Sequence, residues 1–189
     1  MNSTELSTKA TIICAALFAI HTPAHAAEVD AARSVMTWKG SKVSGDTHHG
    51  RITASSSSLE VRDGQIVGGE VVLDMKTITV EDLQGKWRDK LLGHIKSADF
   101  FDVGKFPTAT LKIDKVENGK AFGRLRVKDV SQPISFSVKR AGNKYVGSAF
   151  FDRTKFGVTY GSGSFFKNLG DKLIHDVVEV EFAIVVKDD

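Results

Sequence analysis

The feature that constrains this chain most is an alternation of period two, interrupted at short intervals by turn residues. In Arg124-Leu125-Arg126-Val127-Lys128 the charges point one way and the aliphatic side chains the other. Ile134, Phe136 and Val138 form a similar row against Ser135, Ser137 and Lys139. Val71, Leu73 and Met75 oppose Asp74 and Lys76, and Leu111 and Ile113 oppose Lys112 and Asp114. Successive side chains of a strand point to opposite faces, so each segment has one dry and one wet face. Asp63-Gly64, Asn118-Gly119 and Gly142-Asn143 fall between such segments, where residues that tolerate positive φ build tight hairpins. Consecutive hairpins make an antiparallel sheet, and strands dry on one side only make a sandwich or a barrel.

One stretch breaks the period. Leu83, Trp87, Leu91 and Ile95 recur every fourth residue, with Lys86, Arg88, Asp89 and Lys90 mostly off that stripe. This spacing predicts one amphipathic helix around residues 81–97, lying on the sheet or plugging a barrel end. Gly85 and Gly93 weaken it by about 1 kcal/mol each, so packing must hold it. Pro107 suits a strand start or an edge, and Ser55 to Ser58 read as an exposed edge or loop.

The segment "TYGSGSFFKNLGDK", Thr159 to Lys172, invites a phosphate-binding reading. A nucleotide loop would need Gly-Lys-Ser/Thr opening a helix, and here Asp171 follows Gly170. A dinucleotide fingerprint fails where Phe166 takes the place of its third glycine. The segment reads instead as a long turn at a barrel rim, with Gly161 and Gly163 supplying unusual φ or close packing and Phe165 and Phe166 anchoring it. His48 and His49 are adjacent and face opposite ways on a strand, and His94 and His175 lie far off, with no metal-ligand spacing. No nucleophile elbow is present, and Glu179 and Glu181 share the wet face opposite Val178, Val180 and Phe182. The residues therefore point to no enzyme, no catalytic residues, no metal and no cofactor. The net charge of +3 is interleaved along the chain, which gives no electrostatic footprint for nucleic acid.

At the N-terminus, the apolar run Ala10 to Ile20 is about half the length of a membrane span. Pro23 and Ala24-His25-Ala26 follow it, so residues 1–26 read as a secretory signal peptide and 27–189 as a single domain. The one cysteine, Cys14, lies in the leader behind Ile13, a poor context for lipidation. The mature chain then has neither thiol nor disulfide and depends on packing.

"VDAARSVMTWKGSKVSG", "SADFFDVGKFPTATLKI", "QPISFSV", "FDRTKFGVTYGSGSFF" and "VEVEFAIVV", in this order from Val29 to Val186, together resemble the YceI-like family. The turn before Pro133 departs from the family's usual Gly-Val/Ile-Thr-Lys-Pro, with Asp129 for the glycine. The resemblance implies an exported bacterial protein, periplasmic or secreted, with a lipocalin-like antiparallel β-barrel of about eight strands. It also implies a long apolar ligand, a polyisoprenoid or quinone-like lipid, held without catalysis. Inward alternation then nominates Met75, Leu111, Leu125, Phe136, Phe151 and Phe182 as barrel wall, with Trp38 and Phe101 at the mouth or helix side. Gly161, Gly163, Lys167 and Lys172 form a candidate head-group loop. The twelve phenylalanines leave an alternative open: a filled barrel serving as an envelope stress or protein-interaction module without a small ligand. Such a barrel would hold no apolar tunnel of about 300 Å³ or more. Oligomeric state, a homodimer included, is not legible in the residues.

Overall fold

A computed structural model describes residues 22–187. The apolar run Ala10 to Ile20 and Cys14 lie outside the described residues. Among the described residues ten strands form one antiparallel sheet: β1 (His25–Ala27), β2 (Val35–Ser41), β3 (Thr47–Arg51), β4 (Thr53–Arg62), β5 (Gln65–Asp74), β6 (Thr108–Glu117), β7 (Lys120–Val127), β8 (Val130–Ala141), β9 (Lys144–Asp152) and β10 (Val177–Val185). The helix α1 (Gly85–Lys96) lies between β5 and β6.

Neighbours run β1-β4-β5-β6-β7-β8-β9-β10-β2-β3, and this order curls on itself. Only Ile52 separates β3 from β4, and its N–H donates to the Met36 carbonyl. The two are one bent run, with β2 and then β1 along one side and β5 along the other side of β4. β10 pairs with β2, and Val29, just after β1, bridges Val186, just after β10. Taking β1 with β2 and β3 with β4, the ten strands make eight staves of a lipocalin-like barrel.

The hairpin turns follow their chemistry. Asp63-Gly64 and Asn118-Gly119 both take positive φ, and Lys128 at +56° turns β7 into β8. β8 thus begins at Val130 and includes Pro133, four residues before its pairing with β9 starts at Ser137. A proline is tolerated there because that part of the strand has one paired side only. Pro107 sits immediately before β6, as its chemistry requires. Ser55 to Ser58 belong to β4 and pair with β5 through Ser56, Ser57 and Ser58, so they are neither loop nor wholly edge. α1 begins at Gly85, not at residue 81, because Gln84 is extended and Gly85 itself has φ +54°.

One end of the barrel is tight. Leu59 and Ala121 are fully buried, and the Tyr145 hydroxyl donates to the Gly64 carbonyl at 3.0 Å across the hairpin turns of that end. The other end carries the β2–β3 turn, α1 and the long connection from β9 to β10.

Candidate functional site

The barrel is hollow. An apolar cavity of about 1400 Å³ runs inside it, several times the volume that separates a filled barrel from a hollow one. The filled-barrel alternative fails on this point: the phenylalanines line space and do not fill it.

All six nominated wall residues line the cavity. Leu111 and Leu125 face each other across β6 and β7, Met75 opens the short 3-10 turn after β5, and Phe136 meets Phe182 edge-on at 5.7 Å between ring centres. Phe151 meets Phe156 in the same way at 5.7 Å. Gly147, opposite Phe182 in the ladder, gives that ring its room: a β-carbon there would lie 2.6 Å from the Phe182 Cζ. Trp38 lines the cavity from β2, fixed by its indole N–H donating to the Thr79 carbonyl at 2.9 Å. Phe101 lines it from the loop after α1, packed edge-on against Phe100. Trp87, Leu91 and Ile95 of α1 also line this space, and Leu83 lines it from the segment before the helix.

The long turn holds a different geometry from the one expected of it. Gly161 has φ +65°, and a β-carbon on it would press on Ile174 at 3.0 Å, while one on Gly163 would come within 2.7 Å of Leu173. Ser162 is fully buried, and its carbonyl accepts the N–H groups of Phe165 and Phe166. Glycine packing and Ser162 therefore anchor the turn. Phe165 and Phe166, expected as the anchors, are both largely exposed, because the chain needs no apolar plug where a buried serine ties it down. Gly161, Lys172 and Phe166 line the mouth of the cavity; Gly163 and Lys167 lie outside the lining.

Arg153 was not singled out by the sequence pattern. It is 1% exposed, and its guanidinium donates to the carbonyls of Val158 at 2.7 Å, Ile174 at 3.1 Å and His175 at 3.1 Å. It pairs with Asp176 at 3.4 Å and lies over the Phe100 ring. Burial lowers its pKa by disfavouring the charged form, an effect that Asp176 and Asp152 partly offset. The residue ties both ends of the β9–β10 connection to the barrel rim. It lies within the stretch "FDRTKFGVTYGSGSFF", but a charge directly after "FFD" is what a surface residue would give equally well.

The histidines have separate roles. His48 Nδ1 lies 2.7 Å from Asp82 Oδ2, while His49 faces away from the cavity. Burial tends to raise the Asp82 pKa, but hydrogen bonds from His48 and from the His49 N–H outweigh it and hold the carboxyl below its ordinary value. His94 sits among aromatic rings, 4.4 Å from Tyr160 and 5.3 Å from Phe100, with its Nε2 buried and unpartnered. His175 also lines the cavity. Among the described residues no group of three His, Cys, Asp or Glu is placed to hold a metal ion.

A family model for the YceI-like domain matches residues 28–186. UPF0312 proteins of two Vibrio vulnificus strains, YJ016 and CMCP6, are each 26% identical over 147 residues, covering 75% of this chain and 76% of their own length. Two solved structures share the fold. BcnA of Burkholderia cenocepacia gives a TM-score of 0.63 at 18% identity, over 85% of this chain and 99% of its own. A polyisoprenoid binding domain from Saccharophagus degradans, implicated in plant cell wall breakdown, gives 0.60 at 14% identity, over 87% and 100%.

Proposed function

The chain belongs to the YceI-like family, and from that premise we propose that it is a non-catalytic carrier of a long apolar lipid, an isoprenoid or quinone-like chain, in the bacterial periplasm. The cavity carries this reading. At about 1400 Å³ it exceeds the roughly 300–1,000 Å³ common for drug-sized ligands, so a long chain suits it better than a compact metabolite. Its walls come from the apolar face of nearly every strand, and burying a methylene there is worth about 0.8 kcal/mol before the costs of association. The polyisoprenoid binding of the Saccharophagus degradans domain, which shares this fold, supports the same ligand class. Export rests on the signal-like leader, residues 1–26, and on a mature sequence that needs no reduced thiol.

The test uses Trp38 as reporter, because it lines the cavity. Lipid-stripped protein is titrated with polyprenyl alcohols of increasing length, and tryptophan fluorescence is followed. The expected result is a saturable one-to-one change whose affinity rises with chain length, and which Trp38→Phe diminishes. Non-saturable change at every length would overturn the proposal.

A further inference from the structure

The open end of the barrel has a surface that the carrier reading does not require. Three segments meet around the cavity mouth: the β2–β3 turn, α1 and the turn 159–172, all contributing to the lining. The Val43 N–H of the first donates to the carbonyl of Leu173, just after the turn, at 3.0 Å, and His94 of α1 packs against Tyr160. From this rim large apolar side chains point into water. Trp87 is 60% exposed and Phe165 58%, and Val43, Tyr160 and Phe166 are exposed with them. Aromatic rings concentrated at one end of a molecule suit a boundary between water and an apolar phase.

The unpaired charges at the rim are mostly positive. The ammonium groups of Lys86 and Lys90 lie 5.5 Å and 5.8 Å from the centre of the Trp87 ring. Lys167 directly follows the exposed phenylalanines, and Lys172 ends the same turn. Of the carboxylates in these segments, Asp46 is paired with Lys42 and Asp89 with Arg88. That leaves Asp171 against Lys86, Lys90, Lys167 and Lys172, none of which forms an ion pair among the described residues. Exposed aromatics interleaved with unpaired lysines match the headgroup layer of an anionic bilayer, where rings enter the boundary and ammonium groups meet phosphates. Trp87, Lys90, Tyr160, Phe166 and Lys172 of this ring line the cavity itself, so a rim seated on a membrane would give a lipid chain a path that avoids water.

We propose that the rim formed by α1, the β2–β3 turn and the turn 159–172 docks on anionic membrane surfaces, with Trp87, Phe165 and Phe166 inserted and the four lysines on lipid phosphates. The proposal rests on the carrier reading for its purpose but not for its test. The mature chain is floated with vesicles of phosphatidylcholine alone and of equal parts phosphatidylcholine and phosphatidylglycerol. Binding is expected only to the anionic vesicles, and raised salt should weaken it. Lys86→Gln with Lys90→Gln should lower the partition coefficient roughly 30-fold, and Phe165→Ser with Phe166→Ser should lower it also, while thermal unfolding of both variants stays that of the parent. Brominated lipids should quench Trp87, an effect lost in Trp87→Phe. Equal binding to neutral and anionic vesicles, no binding to either, or a dimer that buries the rim and dissolves in Phe165→Ser/Phe166→Ser would each overturn the proposal. Lipid occupancy is measured separately by native mass. Occupied protein that ignores vesicles sinks the docking alone, whereas docked protein that never holds lipid sinks the carrier reading.

Discussion

Arg153 should be the single side chain on which the rim depends most. Its guanidinium satisfies three backbone carbonyls between Val158 and His175 and neutralises Asp176, all from a position 1% exposed. Arg153→Met keeps much of the stem's volume but leaves those acceptors without a donor. A buried acceptor without its donor costs about 1–3 kcal/mol, and removing one partner of a buried ion pair costs about 3–5 kcal/mol in all. Asp176 is partly exposed, so the lower end, about 3 kcal/mol, is the expected loss in urea unfolding. Arg153→Lys keeps the charge but cannot span three carbonyls, and should fall between parent and Arg153→Met. Hydrogen exchange gives the local readout. The amides of Ile174 and His175, bonded to the carbonyls of Gly161 and Ser41, should lose protection before the hairpins of the closed end. A loss below about 1 kcal/mol with unchanged exchange at these amides would refute the reasoning, because the carbonyls would then have other partners.

Further expectations follow from single contacts. A β-carbon at Gly147 would lie 2.0 Å from the Ser137 carbonyl as well as against Phe182, so Gly147→Ala should destabilise by about 1–3 kcal/mol in chemical denaturation. Asp82 has a lowered folded-state pKa, so its contribution to stability is complete above its unfolded value near about 4 and is lost as pH falls through the lower folded value. Asp82→Asn should therefore flatten the acid arm of the melting-temperature profile and leave its neutral-to-alkaline shape unchanged; an unaltered acid arm would remove the His48–Asp82 contact from the account. Leu125→Trp with Ala149→Trp, both in the lining, should shorten the longest polyprenyl chain that binds while unfolding stays cooperative; undiminished binding of the longest chain would place the ligand elsewhere.

The barrel was legible because burial of one strand face writes period two into the sequence. Leu111, Leu125, Phe136 and Phe182 could be assigned inward on that rule alone, and they do line the cavity. The short strands were harder. β1 falls on His25-Ala26-Ala27, where small residues read as a cleavage pattern, and the expected cut after Ala26 falls within this strand. In the longer β4, Ser55 to Ser58 are polar on both faces, so the hydrophobic pattern is silent there. Hollowness was not legible, because a phenylalanine lining a void and one filling a core leave the same letter. Arg153 was missed for a related reason: its partners are backbone carbonyls brought close by the β9–β10 connection, and carbonyls have no sequence signature. The exposure of Phe165 and Phe166 reverses the usual prior for aromatic residues, and that reversal marks the rim.

The central claim is that the cavity of about 1400 Å³ carries a lipid chain. Native mass spectrometry of the protein purified from its own host, with organic extraction of the same sample, tests it most directly. The account predicts an added mass matching one long-chain isoprenoid or quinone-like lipid, recovered in the extract and lost in Leu125→Trp/Ala149→Trp. A clean apo mass with no lipid in the extract would contradict it.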